Sequence, residues 1–150
     1  MSEKSVDQSI TDQWALNAET QRTRFADYTL DPAHTITLNA HDGLVRVIWN
    51  GNVIAESVNA IELHERKHDP VFYFPRDDIK LERLTRTDHA THCPYKGDAS
   101  YWSLNADGSF AENAVWAYDS PIEAMSAITG FMAFYLDIMG KDFGLTLETA

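Results

Sequence analysis

Short stretches of alternating apolar and polar residues recur along the chain, and this alternation is typical of half-buried β-strands. Residues 35–38 alternate in this way, and so do residues Ile61–Glu65. Residues 71–74 are aromatic or β-branched and precede Pro75, which fits a strand that ends there. Residues 79–84 are a further candidate strand. The pattern predicts a mainly β fold built from antiparallel hairpins.

Two turns between apolar stretches support the prediction of hairpins. Residues 44–49 and 52–55 flank Asn50-Gly51, and an Asn-Gly pair tolerates the positive φ angles of a type I′ turn. A second turn, at residues 105–108, lies between two further strand-like stretches. We predict a β-hairpin at each of the two positions.

The C-terminal part of the chain carries the signal of a helix start. Ser120 and Glu123 form a capping box, with Pro121 at the first helical position, where no amide donor is needed. We predict a helix from Pro121 to about Met139, with Gly140 as the left-handed residue after its end.

The second half of this predicted helix is almost entirely apolar. Residues 128–139 include one charged residue, Asp137. At about 12 residues the stretch is too short to cross a bilayer, which takes about 20. We expect the helix to pack on a sheet, with a homodimer interface as the alternative.

The polar N-terminal residues are predicted to form a separate arm. Residues 1–34 contain a candidate helix at about 11–25, and Asp31-Pro32 ends the arm. Residues 35–150 are predicted to form a single β-rich domain.

The overall charge limits the class of partner. The chain of 150 residues carries a formal charge of −11, without a cluster of basic residues, which argues against nucleic acid and membrane surfaces as partners. Cys93 is the only cysteine, which excludes an intrachain disulfide. The N-terminus lacks the pattern of a secretion signal. We expect a cytoplasmic protein.

The densest group of reactive side chains is the segment 91–97, Thr-His-Cys-Pro-Tyr-Lys-Gly. Cys93, His92 and Lys96 are the catalytic candidates, because they offer a thiol, an imidazole and an amine. Cys93 precedes Pro94 and favours an extended backbone, so its side chain and that of His92 point to opposite sides. A base for Cys93 would then come from another strand. A buried and inert Cys93 is the alternative.

A second group of residues is predicted to bind a ligand. Arg76 follows an apolar strand and could hold a carboxylate or phosphate, or could pair with a neighbouring acid. Tyr101 and Tyr118, like the tryptophans, are core residues by default, although aromatic side chains also line ligand clefts. The predicted ligand-binding residues are Tyr73, Arg76, Tyr95, Trp102 and Trp116.

Metal binding is not expected. His64 and His68 have the spacing of two zinc ligands on a helix, but the surrounding pattern predicts a strand and a turn. We therefore predict neither a metal site nor a cofactor.

Several motifs together resemble the bacterial domain-of-unknown-function family numbered 427. They include Tyr-Phe-Pro-Arg-Asp-Asp at 73–78, His-Cys-Pro-Tyr-Lys-Gly at 92–97, Ala-Glu-Asn-Ala at 111–114 and Ala-Phe-Tyr at 133–135. The match covers about residues 35–139. A nucleotidyltransferase label sometimes attached to the family carries little weight, because Gly108-Ser109 is followed by no Asp-x-Asp pair.

The resemblance implies a β-tent-like domain, in which hairpins lean together around a cavity and a terminal helix packs outside. Related folds commonly hold zinc with two cysteine pairs, and a chain with one cysteine looks like a metal-free version. Together with the residue patterns, this favours a cytosolic domain that binds a small polar or anionic metabolite and has a catalytic role only if Cys93, His92 or Lys96 is reactive. The alternative is a non-catalytic interaction module or a homodimeric structural domain.

Overall fold

Antiparallel β-strands make up most of the fold in our computed structural model, which describes residues 33–150. Four 3₁₀ turns connect strands in this part of the chain, at Arg76–Asp78, Leu81–Arg83, Glu123–Ile128 and Asp137–Met139. The strands of the described range are β1 (Ile36–Ala40), β2 (Val45–Trp49), β3 (Asn52–Ser57), β4 (Ile61–Glu65), β5 (Val71–Tyr73), β6 (Leu84–Cys93), β7 (Gly97–Ala106), β8 (Ser109–Ala117), β9 (Met132–Phe134) and β10 (Leu145–Thr149).

The strands form three antiparallel sheets. The largest has the order β9-β8-β7-β6, and the two smaller ones have the orders β10-β2-β3 and β1-β4-β5. An isolated antiparallel bridge between Phe74 and Met132 joins the end of β5 to β9. The mainly β prediction is therefore confirmed.

Side chains of the four-stranded sheet face two separate hydrophobic cores. Val115 and Ala117 pack with residues of β2, β3 and β10, whereas Trp116 and Tyr118 pack with residues of β1, β4 and β5. Successive residues of a strand point to opposite faces, so both faces of this sheet are covered. The aromatic side chains of the second core reach the candidate site.

Both predicted hairpins are present. Asn50 and Gly51 have φ angles of 49° and 87°, and they connect β2 to β3. Asp107 and Gly108 have φ angles of 42° and 86°, and they connect β7 to β8. In both turns the residue types tolerate the left-handed backbone that a tight hairpin requires.

The prediction of a strand at residues 79–84 is wrong, because the chain there forms a 3₁₀ turn at Leu81–Arg83.

The predicted helix from Pro121 to Met139 is wrong. Glu123–Ile128 is a short 3₁₀ segment without a side-chain cap, and Met132–Phe134 is a strand of the four-stranded sheet. Gly130, with a φ angle of 75°, lies between the two and turns the chain. The one part of this prediction that is confirmed is the left-handed backbone of Gly140, which follows the 3₁₀ turn ending at Met139.

The physical reason for this error is burial on both faces of β9. Met132 and Phe134 belong to one core and Ala133 to the other, so the strand has no polar side. A short apolar run of this kind does not distinguish a buried strand from a buried helix. The one charge, Asp137, accepts backbone hydrogen bonds from three successive amides, beginning with Phe143 at 3.1 Å.

A homodimer interface was the alternative role for the same predicted helix. Phe134, which lies in that stretch, is buried in the core. Residues 1–32 of the predicted N-terminal arm, including its helix, lie outside the described residues. None of the helical segments within residues 33–150 is long and apolar enough to cross a membrane.

The His-Cys-Pro-Tyr-Lys-Gly segment forms the tip of the hairpin between β6 and β7. Cys93 pairs with Gly97 in the strand register, and the Lys96 amide donates a hydrogen bond of 3.1 Å to the Cys93 carbonyl. Pro94 occupies the second position of this turn, where its fixed φ angle is favourable. We call residues 93–97 the motif turn.

Gly97 is required where two parts of the backbone meet. Its φ angle is 126°, and a Cβ atom there would lie 3.1 Å from the Cα atom of Pro121. The Ile122 amide donates a hydrogen bond of 2.9 Å to the Lys96 carbonyl at the same contact. The glycine thus lets the 120–122 segment pack directly on the motif turn.

Replacing Gly97 tests this contact, with Gly108 as the matched control. Gly108 also has a positive φ angle, but a Cβ atom there meets nothing within 4 Å. We expect Gly97→Ala to lower the free energy of unfolding by about 2–4 kcal/mol and Gly108→Ala by about 1 kcal/mol, because the first adds a steric clash to the backbone strain. Urea denaturation measures both. Equal losses would show that the 120–122 segment does not constrain the turn.

Candidate functional site

The candidate site is a cavity of about 300 Å³ next to the motif turn. Strands β4 and β5 form one wall, and the aromatic side chains of the four-stranded sheet form the other. We call it the tyrosine cavity, because four of the residues that line it are tyrosines. It is lined by Leu63, Glu65, His68, Val71, Tyr73, Lys96, Tyr101, Trp116, Tyr118 and Tyr135.

An ion pair lies at the cavity wall. Lys96 Nζ donates a hydrogen bond of 2.7 Å to Glu65 Oε1, and the two side chains are only 13% and 14% exposed. The second carboxylate oxygen, Glu65 Oε2, lies 2.7 Å from His34 Nε2. Lys96 Nζ also lies 3.9 Å from Cys93 Sγ. Glu65 therefore connects the motif turn to the segment before β1.

The charge of Glu65 is set by opposing effects. Burial alone would raise the pKa of this carboxyl group, but the hydrogen bond and positive charge of Lys96, with the hydrogen bond from His34, outweigh it. The pKa of Glu65 is therefore below its ordinary value. The carboxylate stays ionised and paired at neutral pH.

The aromatic wall holds several hydroxyl groups. Trp116 Nε1 donates a hydrogen bond of 3.1 Å to the Tyr73 hydroxyl oxygen, and the rings of Trp116 and Tyr135 lie 4.4 Å apart. The Tyr101 hydroxyl lies 2.8 Å from Thr91 Oγ1. No residue in the described part of the chain forms a hydrogen bond with the Tyr118 hydroxyl, although Tyr118 is 7% exposed.

These phenols keep their protons at neutral pH. Burial raises the pKa of Tyr73, Tyr118 and Tyr135 far above the ordinary value for tyrosine. The neighbouring Tyr101 raises the pKa of Tyr135 further. The wall is thus uncharged, with hydroxyl groups set among aromatic rings.

Three of the residues predicted from the sequence line the cavity, and a fourth lies beside it. Tyr73, Lys96 and Trp116 contribute to the lining. Cys93 is half-buried and contacts the cavity through Lys96. The structure thus brings together part of the catalytic set and part of the binding set.

Two further predicted residues, His92 and Tyr95, belong to the same segment. His92 is exposed, and its Nδ1 atom lies 2.5 Å from Asp98 Oδ1. Tyr95 stacks on His34, with ring centroids 4.0 Å apart. Neither residue lines the tyrosine cavity.

Arg76 and Trp102 lie apart from the cavity lining, and Trp102 is buried in the first core. Arg76 donates hydrogen bonds of 2.7 Å to the Gly130 carbonyl and to Asp119 Oδ1. Its guanidinium group lies 5.0 Å from the Trp102 ring centroid, and that of Arg86 lies 5.2 Å from the same centroid. Arg76 does not line the tyrosine cavity and therefore lies apart from Lys96.

Seven of the ten lining residues lie outside the predicted set: Leu63, Glu65, His68, Val71, Tyr101, Tyr118 and Tyr135. The sequence pattern predicts Tyr101 and Tyr118 as core residues by default, and nothing in the sequence around Tyr135 indicates a binding role. Glu65 had a usable signal, because it shares a strand face with Leu63, which is 1% exposed. A charge on the buried face of a strand needs a partner, which here is Lys96.

No three His, Cys, Asp or Glu side chains within residues 33–150 are close enough to hold a metal ion together. His64 lies on β4, where its Nε2 atom is 2.8 Å from Glu62 Oε1. The i, i+4 spacing of His64 and His68 is therefore not a helical pair.

The fold and the site define a mainly β domain with an aromatic cavity that is closed at one side by a Lys–Glu ion pair. The chain belongs to the family described as Domain of unknown function (DUF427), which it matches over residues 37–143. A comparison with curated proteins gives no match. The family resemblance in the sequence is therefore confirmed.

Replacing Lys96 tests the ion pair. We expect Lys96→Met to lower the free energy of unfolding by about 3 kcal/mol at pH 7, because it leaves the poorly exposed Glu65 carboxylate without its ammonium partner. Replacing the exposed Lys80 with methionine is the control, and we expect a change of less than about 0.5 kcal/mol.

The pH dependence of this loss follows from the lowered pKa of Glu65. The pairing stabilises the folded protein above the ordinary pKa of 4.5, and this stabilisation disappears as the pH falls through the lower folded value. The difference between wild type and Lys96→Met should therefore shrink below pH 4.5. Urea denaturation at several pH values measures it, and a loss that is independent of pH would contradict the pairing.

Proposed function

We propose that this domain binds a small molecule with a polar group in the tyrosine cavity. The volume of about 300 Å³ is near the lower end of the range of ligand sites. It is about twice the volume of about 150 Å³ that is known to hold a benzene molecule in a protein core. A ligand of roughly one ring with one or two substituents would fit.

The lining supports the same conclusion. Leu63, Val71 and the aromatic rings offer apolar surface, and a few polar groups are set among them. Small-molecule sites combine these two features, since apolar contacts supply affinity and a few polar groups fix orientation.

The Tyr118 hydroxyl is the observation that carries the proposal. It belongs to a side chain that is 93% buried, it lines the cavity, and it has no hydrogen-bond partner among residues 33–150. Among residues 33–150 the side-chain atom that is fully buried without a partner is His41 Nε2, so the Tyr118 hydroxyl oxygen is not sealed off and remains open to an occupant of the cavity. A ligand in the cavity would supply the missing partner, and water is the competing occupant.

Binding is proposed without a chemical reaction. His92 pairs with Asp98 and does not line the cavity. Lys96 is engaged with Glu65. We also propose that the sheets lean together as in the β-tent folds that the family resemblance implied, with the cavity between them.

Four single-ring probes test the proposal: toluene, acetophenone, benzoate and benzylammonium. We expect at least one to bind with a Kd of about 1 mM, which corresponds to about 0.5 kcal/mol for each of about nine non-hydrogen atoms. Backbone amide NMR shifts should change at Lys96 and Tyr118 during the titration.

A cavity-filling variant and a matched control locate the binding. Val71→Phe adds a ring to the cavity wall and should abolish probe binding. Val58→Phe adds the same ring at a position that is 60% exposed and should leave binding unchanged. Circular dichroism confirms that both variants are folded. Failure of all four probes to bind wild type, or equal binding by Val71→Phe, would overturn the proposal.

A further inference from the structure

Several hydrogen-bond donors of the tyrosine cavity have no acceptor among the described residues, and one of them belongs to an ammonium group, which can only donate. A lysine ammonium group has three N–H donors. At Lys96, one of them is used by Glu65 at 2.7 Å, and Cys93 Sγ, at 3.9 Å, is a weak second acceptor. One donor of Lys96 therefore has no acceptor within the described range.

Two tyrosines add donors of the same kind. The Tyr73 oxygen accepts from Trp116, and its own proton has no acceptor among the described residues. The Tyr118 hydroxyl has no partner in the same range. Burial holds both phenols in the protonated form, so both can donate to a ligand.

The one charged acceptor in the cavity is already paired. Glu65 is the only carboxylate that lines it, and each of its oxygen atoms accepts a hydrogen bond, from Lys96 and from His34. Its lowered pKa keeps it ionised for these contacts. His68 lies at the exposed rim, and it can donate or accept according to its tautomer.

We infer that the ligand is a small molecule with a flat apolar body and an acceptor oxygen, in a carbonyl or carboxylate group, and without a cationic group. The inference rests on the proposed function and specifies the chemical class of the ligand. The oxygen accepts from Tyr118 and from the remaining donor of Lys96, and the body packs between the aromatic wall and Val71.

The alternative of a cationic ligand has a physical argument, since aromatic rings attract cations. Lys96 opposes it, because its ammonium group lies in the same small cavity. A cation would also compete with Lys96 and His34 for Glu65. Acceptor chemistry satisfies the open donors without breaking the existing pair.

The four probes separate these cases, because they have similar size but different polar ends. Toluene has no polar end, acetophenone has a neutral acceptor, benzoate has an anionic acceptor, and benzylammonium has only donors. We expect acetophenone or benzoate to bind at least about fivefold more tightly than toluene and benzylammonium, since one satisfied donor contributes about that factor. The ratio of benzoate to acetophenone distinguishes a carboxylate from a carbonyl ligand.

Removing one hydroxyl group tests the role of Tyr118. We expect Tyr118→Phe to weaken the better acceptor probe about threefold to tenfold and to leave toluene unchanged, because only the acceptor uses the hydroxyl group. Tyr73→Phe should act in the same direction. Tyr95→Phe is the control, since this phenol lies outside the cavity.

The possible results separate the inference about the ligand class from the proposed function. Acceptor preference with selective weakening in Tyr118→Phe supports the inference. Tightest binding by benzylammonium, or equal binding of all probes with no effect of Tyr118→Phe, overturns the inference and leaves the proposed function standing. Binding of no probe at all overturns both.

Discussion

The ammonium group of Lys96 and the carboxylate of Glu65 meet where both are largely removed from water, and the candidate site depends on this pair. Desolvation opposes the pair, so each charge needs its partner. His34 occupies the second oxygen of the carboxylate. The pair thereby holds together the motif turn, the end of β4 and the segment before β1. It also places one wall of the tyrosine cavity, because Lys96 extends from the turn toward Glu65 and not into solvent.

The aromatic wall of the tyrosine cavity forms because both faces of the four-stranded sheet are buried. Alternating residues of β8 enter two cores. Trp116 and the next such residue, Tyr118 just after the strand, pack with β4 and β5, while Val115 packs with β2. Aromatic side chains then supply most of the surface between the two sheets. Bulky rings with hydroxyl groups do not fill this space completely, and a cavity of about 300 Å³ remains. The function we propose arises from this incomplete packing next to a paired charge.

Local signals in the sequence predicted the parts of the fold that depend on a few adjacent residues. Asn50-Gly51 specifies its hairpin because few other pairs tolerate that turn. The helix prediction for residues 128–139 was wrong because burial on both faces removes the alternation of apolar and polar residues that identifies a strand. In the site, Lys96 was recognisable from its motif, whereas the separation of Arg76 from the cavity was not, because sequence order does not determine which core a side chain faces. Glu65 could have been found from the face it shares with Leu63.

A crystal structure of the protein soaked with benzoate or acetophenone would test the central claim most directly, which is that the tyrosine cavity binds an acceptor oxygen. The account predicts the ring between Val71 and the aromatic wall, with the oxygen about 2.7–3.2 Å from the Tyr118 hydroxyl and Lys96 Nζ. A ring that is absent from the cavity, or one whose oxygen points away from both donors, would contradict it.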